Sequence, residues 1–198
     1  MQYSFMLRMY GHIYKSMLKD TPIDGDEKSS ILSEYKHILT RAKDIGQKNN
    51  LLGSYTLAAF FIAMNRCDRF TPEKNQQFLE RGMEKSRLLK LSLGNAQQYL
   101  DPKRIAARKE WSRLTHQHQY ENDWVVDILD KTDEYEMGYD YTECGVCKLC
   151  RDEGCPELAK YLCQLDFMLI ELVGLRLTRT TTLAEGGDKC DFRFHYKD

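Results

Sequence analysis

In "SSILSEYKHILTRAKDIG" the apolar positions Ile31, Tyr35, Ile38, Leu39, Ala42 and Ile45 recur at three- and four-residue steps. That spacing puts them on one helix face, with Ser29 or Ser30 as the N-cap and Gly46 as the stop. Apolar residues at mixed helical spacing predict an earlier helix over Met1 to Leu18, and "TPIDGD" reads as the loop between the two. "LLGSYTLAAFFIAM", from Leu51 to Met64, is apolar all round, so it predicts a buried helix opened by Asn49 and Asn50. At Thr71 a capping hydroxyl precedes Pro72, a start signal for a helix running towards Gly94 with a weak point at Gly82. Asp101 and Pro102 repeat the signal for a helix carrying Ile105, Trp111 and Leu114.

Past "HQHQY" the period changes. Trp124 to Leu129 and Tyr135 to Thr142 alternate in part and are rich in Val, Ile and Tyr, which predicts two strands joined near "DKTD". Pro156 opens a helix to Val173 that Gly174 ends. "LRLTRTTTL" predicts a third strand, Leu175 to Leu183, and "KCDFRFHYK" a fourth, Lys189 to Lys197, across the turn "EGGD". The fold class is therefore α+β. A helical region over 1–120 packs on a small antiparallel sheet of about four strands with one inserted helix over 121–198, in one compact domain.

Composition narrows the function classes. With 42% hydrophobic residues the 198-residue chain can bury a core, and a net charge of -1 gives no electrostatic reason to expect nucleic acid. The one basic stretch, Lys103 to Arg113, reads as a solvated helix face. Arg8, His12 and Lys15 interrupt any signal-peptide core, and the Leu51–Met64 run is shorter than the ~20 residues a bilayer needs. A cytoplasmic location with no membrane partner is the expectation. Seven cysteines, an odd number without an export signal, then point to reduced thiols.

Those thiols are the candidate chemistry. Cys144, Cys147, Cys150 and Cys155 form C-x2-C-x2-C-x4-C, a donor set that suits zinc or an iron–sulfur cluster. Left reduced, they can instead pack or attack electrophiles, and no cofactor is then required. On the helix that Pro156 opens, Asp166 is the single charge on a face otherwise fit for burial, with Cys163 one turn before it. A carboxylate there needs donors, a cation or a proton. Arg179, sharing a strand face with leucines, and backbone amides are its candidate partners. Cys190 follows the Gly186–Gly187 turn, where backbone amides can face an anion.

"YTEC", "CPELAKYLCQLDF" and "LTRTTTLAEGGDKCDFRFHY" together resemble the L-2-amino-thiazoline-4-carboxylic acid hydrolase family, over Tyr141 to Tyr196. The resemblance implies a hydrolase that opens a small cyclic amidine to an N-carbamoyl amino acid. It carries over to Cys144, Cys163, Asp166, Arg179, Thr182, Gly186, Cys190, Asp191 and Phe192. Cys147, Cys150 and Cys155 are additions to the family pattern. On this reading Cys144 is the nucleophile, Asp166 moves protons beside Cys163 and Cys190, Arg179 holds the substrate carboxylate, and the Gly186 and Gly187 amides steady developing charge. Two other classes remain: a small-molecule sensor without catalysis, and a zinc- or cluster-stabilised protein.

Overall fold

The computed structural model describes residues 5–46 and 48–197. Helix α1 (Phe5–Met17) and α2 (Gly25–Arg41) lead to α3 (Leu52–Cys67), which forms the centre of the helical layer. From Tyr55 to Met64 every side chain of α3 is buried, as its unbroken apolar run predicts. Around it pack α1, α2 and α4 (Pro72–Lys85), and Thr71 caps α4 as expected. Three helices follow: α5 (Arg87–Leu93), the one-turn α6 (Ala96–Tyr99) and α7 (Pro102–Thr115). The first four residues of the predicted Met1–Leu18 helix lie outside the described residues. Among the described residues no helix is long and apolar enough to cross a membrane.

Three helix boundaries differ from the sequence expectation. Helix α2 begins at Gly25, because Asp24 and Glu27 make a reciprocal capping box, and it ends at Arg41 as Ala42 turns to ψ 139°. The break expected at Gly82 falls at Ser86 instead, where the serine hydroxyl caps α5. Gly82 serves packing: a Cβ there would meet the Cβ of Met17 at 2.6 Å.

The sheet consists of β1 (Val125–Leu129), β2 (Met137–Glu143), β3 (Leu175–Thr178) and β4 (Cys190–Tyr196), antiparallel throughout in the order β1-β2-β4-β3. Tyr141 lies opposite Cys190, Tyr139 opposite Phe192, and Met137 opposite Phe194. The aromatic side chains of this face meet edge to face, with Tyr139 4.9 Å from Phe194 and Tyr141 5.3 Å from Phe192 between ring centroids.

Two helices, not one, are inserted between β2 and β3. Helix α8 (Gly145–Asp152) occupies the cysteine run, and α9 (Ala159–Val173) follows a 3-10 turn at Pro156–Leu158. In α8 the buried positions Val146, Leu149 and Cys150 make a helical stripe that counting cysteines alone obscures. Strand β3 ends at Thr178, four residues long, and Asp191 captures the amides of Thr180 and Thr181 just beyond it. Glu153, just past α8, holds that helix to the helical layer. It accepts from Arg41 Nε at 2.8 Å and from an Arg66 guanidinium nitrogen at 2.7 Å.

Candidate functional site

Strand β2 runs directly into α8, and Cys144 is the residue between them. Its backbone is still extended (φ -127°, ψ 118°), so it sits at the N-cap of α8. The next residue has to be glycine. A Cβ at Gly145 would lie 2.6 Å from the Asn122 carbonyl and 2.6 Å from the Trp124 ring. This close approach fixes where the helix begins and aims its N-terminus, with the positive end of its dipole, beside the Cys144 sulfur. The thiol makes no cap hydrogen bond of ordinary geometry, yet the Val146 and Cys147 amides lie close enough to favour its thiolate. The Cys147 thiol, in hydrogen-bonding contact, does so more strongly. Together they hold the Cys144 thiol below its ordinary value against burial and the charge of Asp166. The same contact, with burial, pushes Cys147 up.

Helix α9 supplies Cys163 and Asp166. Just past β3, Arg179 turns back and donates to Asp166 Oδ2 at 2.9 Å and to the Cys163 carbonyl at 3.0 Å. Its guanidinium lies between the rings of Phe167 and Phe192, 4.9 and 5.0 Å from their centroids. Only 3% of the Arg179 side chain is exposed, whereas 33% of Asp166 is. Burial raises the Asp166 carboxyl to about 6, and Arg179 restrains the rise. Burial also pushes the Cys163 thiol up, as does the neighbouring Asp166 charge.

The Thr-rich loop that carries the most distinctive motif is a positioning device. Asp191 Oδ1 accepts from the amides of Thr180 and Thr181, each at 2.8 Å, and Oδ2 from the Thr180 hydroxyl at 2.6 Å. Burial works to raise the Asp191 carboxyl, but these donors prevail and it stands below its usual value. Gly186 adopts φ 86°, and a Cβ at Gly187 would collide with the Thr181 hydroxyl. The turn brings the Leu183 amide to Cys190 Sγ at 3.2 Å. Burial pushes that thiol up to about 11, and the Leu183 amide pulls it down.

These elements enclose a cavity of about 90 Å³, and Cys144, Cys163, Asp166, Arg179 and Cys190 all line it. Gly186 and Gly187 do not: their amides donate within the turn, to Leu183 and Thr182 carbonyls. The other walls are residues that sequence spacing did not single out, chiefly Trp124, Tyr141, Val146 and, from α3, Ser54 and Leu57. Tyr141 had a signal, since strand alternation puts it on the face of Cys190; Ser54 and Leu57 had none. Cys147, Cys150 and Cys155 lie off the cavity lining. Cys150 contacts Cys155, so the four thiols of the run fall into two pairs. Among the described residues no three His, Cys, Asp or Glu side chains are grouped to hold a metal ion.

A family model described as L-2-amino-thiazoline-4-carboxylic acid hydrolase matches residues 34–194, reaching well into the helical layer beyond the motif-bearing sheet. No curated protein and no solved structure matches the chain.

Proposed function

The chain belongs to the L-2-amino-thiazoline-4-carboxylic acid hydrolase family, and from that premise we propose that it hydrolyses the ring of a small cyclic amidine at a cysteine-centred site. One observation carries the reading. A cysteine at a helix start, its thiol held below its ordinary value, and a carboxyl raised to about 6 line the same small, largely apolar cavity. Arg179 is the cation among the lining side chains, so a substrate carboxylate meets it there.

The chemistry follows from those groups. The Cys144 thiolate adds to the amidine carbon, the ring C–S bond breaks, and the departing sulfur takes a proton from the Asp166 carboxyl. The product is an isothiourea bound through Cys144. Water adds to the same carbon, with Asp166 now accepting its proton, the bond to Cys144 breaks, and the N-carbamoyl amino acid leaves with the thiolate restored. Cys163 and Cys190, both held as neutral thiols by burial, shape the pocket beside the nucleophile. Arg179 sets the orientation of Asp166 and keeps its carboxyl within reach of neutral pH.

The test is ring opening of 2-amino-thiazoline-4-carboxylate by purified protein. Cys144→Ser is expected to lower turnover by about a thousandfold or more, and Asp166→Asn by about a hundredfold, with both variants folded. Full turnover in Cys144→Ser removes the nucleophile assignment. Saturable binding without turnover in the unaltered protein assigns the cavity to sensing.

A further inference from the structure

The proposed hydrolysis uses one sulfur of the Cys144–Cys155 run and leaves three without a task. Their placement is specific. Cys144 is the N-cap of α8 and Cys147 its third residue, one helical turn on, where the Lys148 amide closes the first turn on the Cys144 carbonyl at 3.0 Å. Cys163 and Cys190 line the same cavity but stand on α9 and β4, and their influence on Cys144 and its influence on them is through space. A C-x2-C pair at the start of a helix, with the first cysteine lining a ligand cavity and the second off its lining, is the arrangement in which thiol–disulfide exchange runs readily. The first sulfur attacks, and the second, one turn along the same helix start, is placed to resolve the mixed disulfide.

We propose that Cys144 and Cys147 form a reversible disulfide, made by exchange with a low-molecular-weight disulfide, that takes the cavity thiol out of service. This rests on the reading of Cys144 as the nucleophile. The Cys144 thiolate attacks one sulfur of the small disulfide and expels the other as a thiolate, giving a mixed disulfide at Cys144. The Cys147 thiol loses its proton to solvent and attacks the Cys144 sulfur. The second small thiolate leaves, and the Cys144–Cys147 bond remains. Two protein thiols are oxidised and one small disulfide is reduced to two thiols. Excess small thiol reverses both steps.

The experiment uses the full chain incubated with oxidised glutathione, blocked with N-ethylmaleimide, digested and mapped by mass spectrometry, with ring opening assayed in parallel. The expected result is a Cys144–Cys147 linkage, a fall in turnover of about tenfold or more, and recovery with dithiothreitol. Cys147→Ser is expected to stop at a glutathione adduct on Cys144. Linkage of Cys144 to Cys163 or Cys190, linkage of Cys150 to Cys155 alone, or no linkage overturns the proposal. The linkage map is read without any activity, so it judges the dithiol even where ring opening fails. A Cys144–Cys147 bond with turnover intact overturns the switch and the nucleophile assignment together.

Discussion

Arg179 reaches back across the end of β3 to donate to Asp166 at 2.9 Å, and the pair is lopsided: the cation is almost wholly buried and the acid keeps a third of its side chain accessible. The acid is therefore the member that can exchange protons with a ligand. The cation is the fixed member, sandwiched between two rings. This asymmetry distinguishes the pair from a structural ion pair buried on both sides.

Asp166 titrating at about 6 gives the activity a pH signature. The proton donated in the first step is present below that value and lost above it, so turnover is expected to fall through a limb near pH 6. Arg179→Gln removes the restraint on the rise, and the limb is expected to move to higher pH. Carboxyl NMR of both proteins checks the assignment; a limb that stays in place detaches it from Asp166. Stability follows the same sign. A folded value above the unfolded one means that the contribution of Asp166 is fully present below about 3.8 and is lost as pH rises through about 6.

Asp191 behaves in the opposite sense. Its carboxylate accepts three donors from Thr180 and Thr181, and its folded value lies below the ordinary aspartate value of 3.8. The stability it contributes is present above that range and lost as pH falls through the folded value. Asp191→Ala is expected to cost about 2 kcal/mol in urea unfolding at neutral pH, with the difference from the unaltered protein shrinking in acid. Because the same loop seats Arg179, turnover is expected to fall as well.

Gly145→Ala tests the seat of α8. The added methyl meets the Asn122 carbonyl and the Trp124 ring at 2.6 Å, so the helix start has to shift. A loss of about 1–3 kcal/mol is expected. Reaction of Cys144 with a thiol-specific reagent is expected to slow, because its sulfur leaves the helix N-terminus. An unaltered reaction rate would show that the helix start contributes nothing to that thiol.

The pairing of the four thiols bears on metal. Freshly purified protein is expected to carry neither zinc nor iron in stoichiometric amount by elemental analysis, and denaturation under reducing conditions is expected to release seven titratable thiols. One zinc or iron per chain would restore the four-thiolate arrangement.

The elements were largely readable from period and punctuation. The Thr71–Pro72 start, the unbroken apolar run of α3, the Gly174 stop and the alternation of Cys190, Phe192 and Phe194 each rest on local chemistry that acts within a few residues, and each stands in the fold. The partnership of Asp166 with Arg179 was legible for the same reason, since a lone charge on an apolar helix face and another on a leucine strand face each require an opposite charge. Tertiary structure decided the rest. The course of the chain past β3 depended on a carboxylate eleven residues beyond Thr180 taking its amide. The start of α8 depended on how closely Trp124 approaches Gly145. The cavity walls from α3 depended on a helix more than a hundred residues away from Asp166 in the chain. Periodicity records which face of an element turns inward. Which faces then meet, and what space is left between them, is set by the packing of the whole chain.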